Sequence, residues 1–138
     1  MATYIKFNAF VESVAEKVLN LGSDSLKVML TNVAPVATNS VFADLTDLAT
    51  SGGYTAGGAA VTTTSSSQTS GTYKLVLADV VFTATTGFGP FRYAALYDNT
   101  ATNKDLIGAW DYGSAVTLNA LETFTVDFDA SAGVLTIA

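Results

Sequence analysis

Leu121-Glu122-Thr123-Phe124-Thr125-Val126-Asp127-Phe128-Asp129 sets large apolar residues at 124, 126 and 128 and puts Thr or Asp between them. A period of two is the pattern of a strand with one face in a core and the other in water. Phe124, Val126 and Phe128 are therefore expected inward, and Thr123, Thr125, Asp127 and Asp129 outward. Upstream, Leu26, Val28 and Leu30 alternate with Lys27, Met29 and Thr31 in the same way. Further strands are expected at 59–65, 73–77, 80–84, 91–97, 106–112, 123–128 and 134–137. Turn signals separate them at the spacing of sandwiches and barrels: Gly87-Phe88-Gly89-Pro90, Asp98-Asn99-Thr100, Tyr112-Gly113-Ser114 and Ala130-Ser131-Ala132-Gly133.

Near the N-terminus the period changes. Apolar residues at 7, 10, 11, 14, 18 and 21 follow one helical stripe, with Asn8 placed to cap the start and Gly22 placed at the stop. The expectation is one N-terminal amphipathic helix over about 8–21, then strands from about 25 to 137, all in a single domain spanning 1–138. The predicted fold class is all-β, an antiparallel β-sandwich of jelly-roll-like form. Asn32 to Asp47, which contains Pro35, reads as a loop with a brief helical turn. The Gly-rich stretch Gly52 to Gly58 reads as a flexible loop.

The chain has 138 residues, 49% hydrophobic and only 13% charged. Ser, Thr, Asn, Gly and Ala must then cover much of the outside, which suits a molecule packed against others and equally a secreted domain. Six Lys and Arg against 12 Asp and Glu give a formal charge of -6. Without a basic footprint, neither nucleic acid nor an anionic membrane is an expected partner. There is no His and no Cys, which removes the usual general base, the thiolate nucleophile and the soft metal ligands. No apolar run approaches the roughly 20 residues that cross a bilayer. Met1 to Asn8 lacks the regions of a signal peptide, so synthesis and folding in a cytoplasm are expected.

Four groups of residues invite a chemical reading. Asp127, Asp129, Ser131 and Gly133 resemble the opening of a calcium loop, but the closing carboxylate would fall at Ala138. Asp98, Asp105, Asp111 and Glu122 supply carboxylates of the kind a glycosidase pairs, with no motif to set two across a cleft. Gly52 to Gly58 lacks the Lys of a phosphate-binding loop. Phe91, Tyr93 and Tyr97 share one face by period two, as do Trp110 and Tyr112 of the next strand, and core packing is the expected role of most of them. Arg92, the only Arg, is then outward and ready for an ion pair or an interface. The sum is a chain with no expected catalytic, cofactor-binding or metal-binding residue and no enzymatic activity.

Several motifs taken together resemble a family of small virion proteins of tailed bacteriophages. They are Tyr4-Ile5-Lys6-Phe7-Asn8-Ala9-Phe10-Val11-Glu12, Asn20-Leu21-Gly22-Ser23-Asp24, Ser25-Leu26-Lys27-Val28-Met29-Leu30-Thr31-Asn32, Gly53-Tyr54-Thr55-Ala56-Gly57-Gly58, Gly71-Thr72-Tyr73-Lys74-Leu75, Gly89-Pro90-Phe91-Arg92-Tyr93 and Trp110-Asp111-Tyr112-Gly113. The resemblance covers nearly the whole chain and includes capsid cement or decoration proteins. It implies a jelly-roll-like protein on the capsid exterior of the virion, made in the host cytoplasm, with the major capsid protein and a second copy of itself as partners. The contact surface is expected in the helix region and in 52–71. A tail or fibre component that binds a receptor carbohydrate through Tyr and Trp is the competing expectation.

Overall fold

Among residues 2–138, which the computed structural model describes, the chain forms ten strands and one α-helix. In order they are β1 (Thr3–Lys6), α1 (Ala9–Ala15), β2 (Leu26–Thr31), β3 (Ala59–Val61), β4 (Thr63–Thr69), β5 (Thr72–Leu77), β6 (Val80–Thr83), β7 (Gly87–Asp98), β8 (Leu106–Asn119), β9 (Thr123–Val126) and β10 (Leu135–Ile137). Five strands make the largest sheet, in the order β1-β8-β7-β2-β3, beside a three-stranded sheet β10-β5-β4 and a two-stranded sheet β6-β9. Every pairing is antiparallel. The expected all-β, sandwich-like class with one N-terminal helix is what forms.

The alternation in β2 explains the layering. Leu26, Val28 and Leu30 join Leu75, Leu77, Val80, Phe82 and Leu96 in the main core, between the large sheet and the smaller ones. The opposite face is buried too: Met29 lies with Phe7, Ala95, Tyr97, Leu106 and Ala109 in a second cluster. Phe42 and Leu45 cover that cluster from the 32–47 segment, whose residues Phe42–Asp44 form a 3-10 turn. Each fully buried side chain of this kind stabilises by about 1.5–3 kcal/mol, so both faces of the sheet contribute.

The helix is shorter than its apolar stripe. It stops after Ala15 because Lys17 takes a left-handed conformation (φ 62), with Lys17 N–H donating to Val14 O and Val18 N–H donating to Ser13 O. That pair of bonds is a Schellman ending, a role glycine usually fills. Asn8 makes no side-chain cap. Val11 and Val18 stay in solvent, while Leu19 and Leu21 reach the core from an irregular segment. The segment before the helix, taken for no element in the sequence, is strand β1, paired with β8 from Thr3↔Asp111 to Lys6↔Gly108.

Two turn signals lie inside strands. Gly87 to Pro90 belongs to β7 and Gly113-Ser114 to β8, so this hairpin runs to 12 and 14 residues. The segment expected as one strand over 59–65 divides instead, β3 pairing with β2 and β4 with β5.

Gly52 to Gly58 is anchored on the core through its glycines and Tyr54. An added Cβ would lie 1.8 Å from Gly87 O at position 52 (φ +55) and 1.8 Å from Val28 O at position 58 (φ +79), so only glycine permits these backbone approaches. Between them Tyr54 is 1% exposed; its hydroxyl donates to Asp47 Oδ1 at 2.5 Å and accepts Leu30 N–H at 3.0 Å. Asp47 Oδ2 accepts Gly57 N–H, and Tyr97 OH donates to Gly57 O at 2.6 Å. Burial, then Asp47, pushes the Tyr54 hydroxyl well above its ordinary range, so it stays a neutral donor. Tyr54→Phe strands Leu30 N–H and one Asp47 oxygen inside the protein and should destabilise by about 2 kcal/mol in denaturant unfolding; a loss under about 0.5 kcal/mol would mean the network does not hold the segment.

Candidate functional site

Period two along β8 sends Trp110 and Tyr112 toward β9 and Asp111 to the other side, where Arg92 of β7 meets it. Arg92 Nε donates to Asp111 Oδ1 at 2.7 Å and Nη2 donates to Oδ2 at 2.9 Å, the two-pronged geometry a guanidinium makes with a carboxylate. Gly113 N–H adds a bond of 2.8 Å to Oδ1. Arg92 first, and Gly113 with it, hold the Asp111 carboxyl below the usual carboxylate range. Arg92 is thus an ion-pair residue.

Next to this pair is a groove of about 410 Å³, with Phe91, Trp110, Tyr112, Phe124 and Asp127 among its walls. A chain of rings runs into it from the core: Tyr54–Phe88 at 5.5 Å, Phe88–Phe91 at 5.8 Å, Phe91–Phe124 at 4.9 Å and Phe124–Tyr112 at 5.4 Å. The last ring, Tyr112, is 52% exposed. Core packing therefore describes Phe91 and Tyr97 but not Tyr112, and Trp110 is half-buried.

The other aromatic expectation fails for a definite reason. Phe91 lies in the main core and Tyr97 in the second cluster, on opposite faces of β7. The pairing of β7 with β8 shifts between Phe91 and Tyr93, and a one-residue slip sends every later side chain to the other face.

A second groove, of about 850 Å³, opens between α1, β1 and β10, with Tyr4, Phe10, Val11, Val14, Trp110 and Ile137 along it. Tyr4, Val11 and Ile137 are 47%, 55% and 42% exposed. Strands β1 and β10 each end a sheet, so backbone donors and acceptors border this apolar floor. Trp110, packed on Tyr4 at 5.7 Å and on Phe128 at 5.6 Å, is the wall between the two grooves. Sequence periodicity missed this surface because β1 was not recognised, although Thr3-Tyr4-Ile5 is rich in strand-forming residues.

The four carboxylates considered for hydrolysis are spread among structural tasks. Asp98 and Asp105 sit at the two ends of the β7–β8 connection, where Asp98 N–H donates to Asp105 O at 2.9 Å. Asp111 is paired, and Glu122 Oε2 accepts Asn119 N–H at 2.8 Å. Asp129 Oδ1 accepts Ser131 and Ala132 N–H, each at 2.7 Å, and these bonds hold its carboxyl below the usual range. The oxygen-rich stretch from Asp127 to Gly133 is thus a capped turn. Comparison with family models, with curated proteins and with solved structures returned no match.

Along β9 and the extension beyond its end at Val126, Phe124 and Val126 are half-buried and Phe128 is buried, with Thr123, Thr125, Asp127 and Asp129 exposed, the alternation read at the outset, although the strand stops two residues short of the expected 128. Because Phe124 borders the open groove, Phe124→Ala should cost about 2 kcal/mol, less than the roughly 3–5 kcal/mol of a fully buried Phe. Phe128→Ala should cost more; the reverse order in thermal unfolding would show that the groove is closed in solution.

Proposed function

We propose that this chain is a non-enzymatic structural protein of a tailed-phage particle, a cement or decoration protein that binds the outside of the assembled head and bridges major capsid subunits. The observation that carries the reading is the groove between α1, β1 and β10. It offers exposed Tyr4, Val11 and Ile137 beside two unpaired sheet edges, on a protein with few surface charges. A partner subunit could add a strand to either edge and bury the apolar floor. The low charge limits desolvation cost on binding.

The mechanism is mass action. A protein that binds only the assembled shell stabilises it by about 2.7 kcal/mol per site at a free concentration one hundred times Kd, and symmetry repeats the gain. The helix region belongs to this interface, and so does the 52–71 stretch, which is anchored on the core yet exposed at Gly53, Thr55 and Ala56. A second copy of the chain and the major capsid protein are the proposed partners, with neither nucleic acid nor membrane in contact.

Bare expanded heads mixed with the Val11→Glu/Ile137→Glu variant test this. The Kd for heads should rise at least about tenfold, the equivalent of about 1.4 kcal/mol. The unfolding midpoint should hardly move, since both side chains are exposed. Wild-type occupancy by the variant, or a purified virion carrying only a handful of copies, would refute the reading.

Exposed Tyr112 favours a second reading, a carbohydrate-binding module of a tail or fibre. An aromatic face beside the fixed Arg92–Asp111 pair and Asp127 is the arrangement that stacks a sugar ring and bonds its hydroxyls. Glycan titration monitored by Trp110 fluorescence should then saturate for wild type and vanish for Tyr112→Ala; no response from a broad glycan panel removes this reading.

A further inference from the structure

Asp98 ends β7 with no surface exposed. Its Oδ1 accepts Thr100 N–H at 2.9 Å and Ala101 N–H at 3.1 Å, while Oδ2 has no donor among the described residues. A second acid lies beside it: Asp24, from the segment before β2, lines one cavity with Thr100 and Ala101, the residues whose N–H groups hold Asp98. Asp24 is fixed in turn by Asn20 N–H, which donates to its Oδ2 at 2.8 Å.

The surrounding charges do not neutralise the pair. Asp105, at the start of the next strand, is a third acid; its Oδ2 accepts the Ser13 hydroxyl at 3.2 Å and its buried Oδ1 has no partner. Lys17 lines the same cavity as Asp24 and Asp105 but makes no ion pair. Lys104 places its ammonium over the Phe42 ring at 5.5 Å, and that of Lys27 on β2 lies near Gly57. Two ionised carboxylates side by side, one of them shut off from water, repel strongly, whereas one proton held between them removes the repulsion.

We propose that Asp24 and Asp98 share a single proton and form a pH-responsive clasp between the 20–25 segment and the β7–β8 connection. The pair sits on a seam already drawn together by Ser25 N–H to Thr100 Oγ1 at 2.9 Å and Asn99 N–H to Ser25 O at 2.8 Å. Loss of the proton adds an unscreened negative charge at that seam. Burial first, and Asp24 second, push the Asp98 carboxyl up to about 6, above the roughly 3.9 of an unfolded Asp. Between about pH 4 and 6 the folded chain therefore holds the proton more tightly than the unfolded one, and stability falls as pH rises through that window, then levels off. Asp44, Asp111 and Asp129 have carboxyls held low and act in the opposite sense only in stronger acid.

The test is the thermal unfolding midpoint of the whole chain at pH 5 and pH 7.5, at equal ionic strength, with calcium or with chelator. Wild type should unfold a few degrees higher at pH 5. In Asp98→Asn the amide oxygen keeps the two backbone bonds and the amide N–H donates to Asp24, so its midpoint should match the pH 5 wild-type value at both pH values. Asp24→Asn should flatten the profile too, which covers the case that the first variant fails to fold. A wild-type midpoint that is level or lower at pH 5, or an unchanged pH step in Asp98→Asn, would overturn the clasp. So would a calcium-induced rise at pH 7.5 that Asp98→Asn abolishes, since the pair would then hold a cation and not a proton.

Discussion

Strand β7 has to fill two cores at once, and the register shift between Phe91 and Tyr93 is how a single strand does so. Before the shift Phe88 and Phe91 face the main core; after it Ala95 and Tyr97 face the second cluster while Ala94 and Leu96 return to the first. A strand without the bulge would place Phe91 and Tyr97 on the same side. Either the back of the sheet would lose its largest ring or the front would lose the link between Phe88 and Phe124. The grooves follow from this geometry, because the hairpin of β7 and β8 carries Arg92, Trp110 and Tyr112 past the edge of the two-stranded sheet.

The ring chain from Tyr54 to Tyr112 connects that geometry to the Gly-rich segment. Tyr54 is anchored by Asp47 and by the β2 backbone, and its ring packs on Phe82 and Phe88. Residues 52–58 therefore act as a wedge that fixes the start of the aromatic ladder, and glycine is needed where the wedge meets the strand backbones. An exposed ring such as Tyr112 is held from beneath by packed rings, so little side-chain freedom is lost when a partner covers it.

What could be read from the sequence was whatever period two alone decides. The inward set Phe124, Val126 and Phe128 and the inward set Leu26, Val28 and Leu30 both hold, because no bulge interrupts those strands. Faces along β7 were illegible because a bulge leaves no mark on composition, and Gly89-Pro90 reads as a turn although it lies within a strand. The helix end was misplaced for a related reason: the chain uses Lys17, not Gly22, in the left-handed position. The anchoring of 52–58 is not legible in its composition, because glycine serves loose linkers and tight backbone approaches alike. The groove beside β1 escaped notice with β1 itself, and its apolar residues come from three separate parts of the chain.

The acidity of the chain takes on a different meaning once its partners are traced. Asp24, Asp44, Asp47, Asp79, Asp98, Asp111, Glu122 and Asp129 each accept at least one backbone N–H. Long irregular connections leave many N–H groups without a ladder partner, and a short carboxylate satisfies them where neither strand nor helix can. Most of the excess negative charge is thus spent inside turns and at strand ends and does not form a field directed at a ligand. Glu12, Glu16, Asp105 and Asp127 are the exceptions; Asp105 accepts the Ser13 hydroxyl, and Asp127 borders the aromatic groove. Asp44, Asp111 and Asp129, whose carboxyls such bonds hold low, are poor general acids or bases, because those bonds would have to break for them to move a proton. Asp98 differs from the rest in one respect: its second oxygen is buried without a donor among the described residues, and burial pushes its carboxyl up to about 6.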